Sequence, residues 1–208
     1  MNTYAELQNA IMEWLIRPDL ASRVPTFIRL AEAEASRRLR TRQMVARARI
    51  MADNRYVALP SDWRKAWNIQ RVADDYPLEY RAPAELDRLR YDSKERPGKY
   101  KPASFYTLFG NSLELAPAPT PEDPVEVEMI YYAKVPMLSD ESQSNWLLQA
   151  HPDLYLFGAL KHTATFLKED ERLPVWAEQF ETALAAANAE DTDARRSGAP
   201  MSRSIGGF

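Results

Sequence analysis

Cysteine is absent from these 208 residues. That excludes disulfides, thiol nucleophiles, iron–sulfur clusters and cysteine-based zinc sites. It also fits a reducing compartment. Histidine occurs only twice, at His151 and His162. On one continuous helix their spacing leaves them roughly 16 Å apart, too far to share a metal. Glycine is scarce, with 6 residues against 15 prolines. Rigid loops follow, and there is no glycine-rich loop to cradle a phosphate. No apolar run approaches the ~18 residues of a membrane span. The opening stretch carries Glu6 and Glu13 and lacks a signal-peptide layout.

What the chain does have is a divided charge. The net value is only −3. Residues 36–113 hold 17 basic and 9 acidic groups, net +8, whereas 114–193 hold 4 basic and 16 acidic, net −12. The first 35 residues are net −2 and the last 15 net +3. Such a chain can satisfy its charges internally, or offer them to other copies and partners.

Periodicity divides the chain the same way. Tyr4, Leu7, Ile11, Trp14 and Leu15 mark one face of a first helix, with Thr3 as N-cap and Glu6 completing a capping box. Pro18 closes it and Pro25 opens a second, with Phe27, Leu30, Ala31, Ala35 and Leu39 inward. From Val45 the period falls to two. Ala46, Ala48 and Ile50 alternate with Arg47 and Arg49, and a turn at Asp53-Asn54 leads to a returning strand at Tyr56–Leu59. Further strands are expected at Trp67–Val72, at Leu78–Tyr80 and at Val125–Tyr132. Gly110-Asn111 marks a hairpin, and a brief helix is expected at Pro83–Arg90 with a loop from Tyr91 to Pro102. After Pro136 the helical period returns, with Pro152 and Pro174 as helix openers.

The fold class is therefore α+β: a helical bundle from both ends of the chain around a central, mostly antiparallel β domain. The boundaries read are 1–44 and 137–193 for the helices, 45–136 for the β insertion and 194–208 for an extended tail.

Chemistry is hard to find. There is no G-x-S-x-G elbow. Glu169-Asp170-Glu171 sits at a helix break, where adjacent carboxylates are solvated and unshifted. No catalytic residue, metal ligand or cofactor is assigned. Arg37, Arg38, Arg40 and Arg42 exceed what a helix C-terminus requires. They read as a basic patch for an inter-subunit or inter-segment contact with the acidic 114–193 region, the inter-subunit form being the one assigned. The alternative is phosphate binding by the stretch Arg37–Arg49.

The segment order resembles a known family. Thr3-Tyr4-Ala5-Glu6-Leu7 with Ile11 and Trp14-Leu15 is one match, and Val24–Ile28 through Leu30–Ala33 to Arg37–Arg40 is another. Tyr56–Asp62, Leu113–Pro119, Tyr131–Ser139, and Asn145–Leu148 followed by Pro152–Leu160 continue the series. Together, in this order, they resemble head–tail adaptors of tailed bacteriophages, over nearly the whole chain.

That resemblance implies a non-enzymatic virion protein at the head–tail interface, assembled in the host cytoplasm. Its partners would be copies of itself in a ring, usually of twelve, the portal protein, and a tail tube or nozzle protein. Genomic DNA would pass through the channel without specific binding, and no membrane is involved. In such adaptors C-terminal tails reach toward the portal. Here Arg195, Arg196, Met201, Arg203, Ile205 and Phe208 are the candidate anchors, in a segment with arginines, no acids and no core pattern.

Overall fold

The computed structural model describes residues 1–95, 102–168 and 171–196. It divides into two compact units: Met1–Met44 with the chain from Val135 onward, and Val45–Lys134.

The first unit is helical: α1 (Tyr4–Leu15), α2 (Val24–Arg38), α4 (Trp146–Ala150), α5 (Pro152–Leu167) and α6 (Leu173–Arg196). Thr3 caps α1 by accepting from the Glu6 N–H at 3.2 Å. Glu6 in turn accepts from the Asn2 N–H at 2.8 Å, one residue earlier than a capping box would place it. Helix α5 packs on α1, α2, α4 and α6, and its sequence explains why. Leu154, Tyr155, Leu156, Ala159, Leu160 and Ala164 are all buried. Gly158 lets the neighbouring elements approach: a Cβ there would lie 2.8 Å from Ala31 Cβ and 3.0 Å from the Phe180 ring.

The second unit is a sandwich. One sheet runs β1–β7–β3 (Val45–Ala52, Val125–Ala133, Trp63–Arg71), all antiparallel. The other runs β2–β6–β5–β4 (Tyr56–Ala58, Ser112–Ala116, Phe105–Phe109, Glu79–Tyr80), with only β4–β5 parallel. Val57, Ile69, Leu113, Leu115, Val127, Met129 and Tyr131 form the core. Helix α3 (Pro83–Glu95) packs on β5 and β6. The architecture is α+β, in agreement with the periodicities.

Several local expectations are corrected. Trp14 and Leu30 fall on the expected helical stripes yet are exposed. Trp14 meets the edge of Phe157 at 5.8 Å, and the inward places are taken by Ile28 and a buried glutamate, Glu32. The strand after Asp53-Asn54 does not return against β1. It pairs with β6 in the other sheet, and β1 pairs with β7, 87 positions away at Val45–Tyr132 and 73 at Ala52–Val125. Strand β3 begins at Trp63, four residues before the expected start at Trp67, and the Trp63 indole stacks on Tyr131 at 5.1 Å. Helix α3 continues to Glu95 through the start of the expected loop. Helix α6 continues through Ala194, Arg195 and Arg196, so these three residues are helical rather than extended.

Candidate functional site

The expected basic patch lies where α2 ends. Arg38 is held within the chain, donating to Glu34 one turn back and, through both amino groups, to Glu181 of α6. Arg38 in turn holds the Glu181 carboxyl below its usual range. The Arg40 guanidinium donates to the carbonyls of Arg37 and Leu39 at 2.9 and 2.6 Å, the job of a C-terminal cap. The backbone N–H groups of Arg40 and Arg42 are caught by Asn188 and the buried Asp191 at 3.0 and 2.6 Å. Helix α6 thus fastens the whole segment.

Part of the charge split is therefore satisfied inside the molecule. Lys161 donates to both Glu34 oxygens at 2.7 and 2.6 Å. Burial opposes ionisation of Glu34, but Lys161 outweighs it and the carboxyl titrates low. His162 Nε2 lies 3.3 Å from Glu34, and burial with Lys161 beside it holds the imidazole below its ordinary value. His151 is 3.9 Å from Glu190 on a different part of the bundle. Among the described residues no three His, Asp or Glu side chains are grouped to hold a metal, and no helix is long and apolar enough to cross a membrane. Of the tail anchors, Arg195 and Arg196 lie in the last turn of α6. Met201, Arg203, Ile205 and Phe208 lie outside the described residues.

Two surfaces were not singled out by sequence reasoning. The first is the outer side of the β1–β7–β3 sheet. The register places Arg47 and Arg49 opposite Ile130 and Glu128, with Gln70 on the other flank. Glu128 is buried beneath these side chains. It accepts from Arg49 at 2.9 Å and Gln70 at 3.3 Å, with Arg47 at 3.5 Å. The two arginines remain 63% and 59% exposed. Beside them Trp67 stacks flat on Tyr132 at 5.6 Å, with 55% of the tryptophan in solvent. The opposite sheet is finished differently. There α3 covers the outer side, and its Arg90 joins Arg55 over the buried Glu114.

The second surface is the loop 136–143. A buried network holds it. Glu32 Oε1 accepts from the Leu138 N–H at 2.8 Å and from the Tyr155 hydroxyl at 3.1 Å. Asn145 donates to the Pro136 carbonyl at 2.6 Å and to Tyr155 at 2.7 Å, while its own oxygen caps α4. At the far end the Gln143 carbonyl and side chain accept from the Tyr4 and Ala5 N–H groups at 2.7 and 3.2 Å. Burial pushes the Glu32 carboxyl up, and the Tyr155 hydroxyl with it. On this frame Met137, Asp140 and Glu141 stand exposed. One signal was available in sequence: the alternation of Arg47 and Arg49 matches that of Glu126 and Glu128. Only the long-range strand pairing reveals that both arginines meet Glu128, while Glu126 falls opposite Met51.

Neither surface brings convergent catalytic groups together among the residues discussed. A model of the SU10 adaptor protein family matches residues 2–204. The chain belongs to the SU10 adaptor protein family. The members are structural bacteriophage adaptors, not an enzyme family, and the expected resemblance is met at the level of family. A phage adaptor role, in a virion component of the head–tail junction, follows from that membership. No curated protein matches the chain.

Proposed function

We propose that this adaptor forms a closed ring, of twelve copies as in the resembling proteins, that joins the capsid portal to the tail tube or nozzle. The channel at its centre passes the genome without specific binding. The observation that carries the reading is the family match over residues 2–204. The divided surface supports it, because a heterologous ring needs two different patches on every copy. The segment from Arg195 to Phe208, with Met201, Arg203 and Ile205 between, supplies the portal anchors. The patch Arg37, Arg38, Arg40 and Arg42 lies against neighbouring copies, with Arg37 and Arg42 exposed for the purpose. Assembly takes place in the host cytoplasm.

Duplex binding through Arg37–Arg49 is the weaker reading. Arg38 is committed to Glu34 and Glu181, and Arg40 to the carbonyls of Arg37 and Leu39. Phosphate would have to compete with acceptors already in place.

Electron microscopy of the purified chain with its cognate portal tests the reading. A closed ring seated on the portal is expected. Portals left bare, or decorated by isolated copies, would end it. Removing residues 197–208 should leave a folded chain that no longer seats.

A further inference from the structure

The two surfaces found in the structure complement each other. The sheet face offers exposed guanidinium groups at Arg47 and Arg49, whose buried partner Glu128 occupies only part of their donors. It also offers the flat Trp67–Tyr132 stack. The loop offers two exposed carboxylates, Asp140 and Glu141, three and four residues from Met137, which is 66% exposed. Carboxylates pair with arginine forks, and a methionine thioether packs favourably on aromatic rings.

The loop is also costly to hold in place. Glu32 and Asn145, both buried, spend hydrogen bonds on fixing a segment whose tip is solvated. A loop fixed in advance loses little entropy on docking.

We infer that the Met137/Asp140/Glu141 loop of one copy docks on the Arg47/Arg49/Trp67/Tyr132 sheet face of the next. This rests on the ring reading and deepens it by naming a copy-to-copy contact. The occupant is a second copy because the same chain carries both the basic, aromatic face and the acidic, methionine-bearing loop. In a head-to-tail arrangement the contact is heterologous and each copy keeps one unused half for another neighbour, whereas a two-fold pair would use both halves at once.

The absence of cysteine makes the test clean. Full-length Glu141→Cys and Lys65→Cys variants are mixed at high concentration and oxidised; Lys65 sits opposite Tyr132 on the docking face. An inter-copy disulfide is expected for this pair and not for Val175→Cys, an exposed α6 position, mixed with Lys65→Cys.

A second measurement uses sedimentation. Asp140→Lys/Glu141→Lys changes only exposed positions and should weaken self-association about tenfold or more. Arg47→Ala/Trp67→Ser should do the same while Arg49 still covers Glu128. Mixed together, the two variants should form a one-to-one pair that grows no further, since each retains one intact half. Far-UV circular dichroism checks that both are folded.

Self-association unchanged in both variants, or cross-linking no better than the control, overturns the contact. So does a wild-type chain that stays monomeric at the same high concentration. Rings on portals without this cross-link would leave the ring reading standing and remove only the inference. Cross-linking without rings would do the reverse.

Discussion

The helical and β units treat buried carboxylates in opposite ways. In the helical unit Glu32 is buried with neutral donors, a backbone N–H and a tyrosine hydroxyl. Among the described residues no cation is hydrogen-bonded to its carboxylate, and desolvation raises its pKa. In the β unit Glu128 and Glu114 lie under arginines that reach them from neighbouring strands and from α3. A helix surface brings together residues three and four apart. A sheet lays whole rows of side chains across from one another. The β unit can therefore neutralise Glu128 by register, while Glu114 draws its arginines from α3 and from the turn before β2. The helical unit keeps its acid for positioning a loop. The first arrangement should depend on charge balance and the second on hydrogen bonding.

The largest expected effect tests neither carboxylate but the packing beneath one of them. Gly158→Val places methyl groups where even a Cβ meets Ala31 at 2.8 Å. It should cost about 3 kcal/mol by overpacking. Chemical denaturation followed at Trp14 and Trp176 would record it, and an unshifted midpoint would contradict the close approach.

Removing both cations from Glu128, as Arg47→Leu/Arg49→Leu, should destabilise by about 2–3 kcal/mol. Adding Glu128→Gln should recover most of the loss. If the triple variant is no better than the double, the arginines act by packing and the contrast between the units fails.

Glu32→Leu leaves the Leu138 N–H and the Tyr155 hydroxyl without their acceptor, at a cost of about 1–2 kcal/mol. Glu32→Gln retains an acceptor and sharpens the point through pH. The folded carboxyl has a raised pKa, so it keeps its proton where the unfolded chain has lost it. Wild-type stability relative to Glu32→Gln should therefore be greatest below the unfolded pKa. It should fall as pH rises through the folded one and level off above it. Urea midpoints from pH 4 to 7 give the difference, and one that rises with pH would refute the raised value.

The smallest effect is local. Ile16 caps α1 with φ of 54°, a left-handed conformation that a β-branched side chain disfavours, and is 83% exposed. Ile16→Gly should gain about 1 kcal/mol in thermal stability. No gain would mean that the side chain's own contacts offset the strain.

Much of the fold was legible because its signals are local. Thr3 and Pro25 announce helix starts, and Gly110, with φ of 60°, turns the β5–β6 hairpin. The strands at 45–52 and 125–133 carry a clean alternation. The misread elements share one cause. Trp14 and Leu30 have the right period but stay exposed, and on α2 the buried face runs through Ile28 and Glu32 instead. Tyr56–Ala58 has the composition of a hairpin return, but its partner was decided by β6. The candidate surfaces were less legible for the same reason. Arg47 and Glu128 are 81 positions apart, and Glu32 and Leu138 are 106 apart.

By itself the sequence determined the α+β class, the family resemblance, the missing thiol chemistry and the division of charge. Each depends on residue type and short-range spacing, which no tertiary contact can alter. The tertiary structure alone decided how that charge is spent. It put Glu181 against Arg38 and Glu128 under Arg47 and Arg49, and it left Asp140 and Glu141 in solvent. Whether a charge is neutralised or offered to a partner depends on which strand or helix lies across from it. That is fixed only when the non-local elements pack.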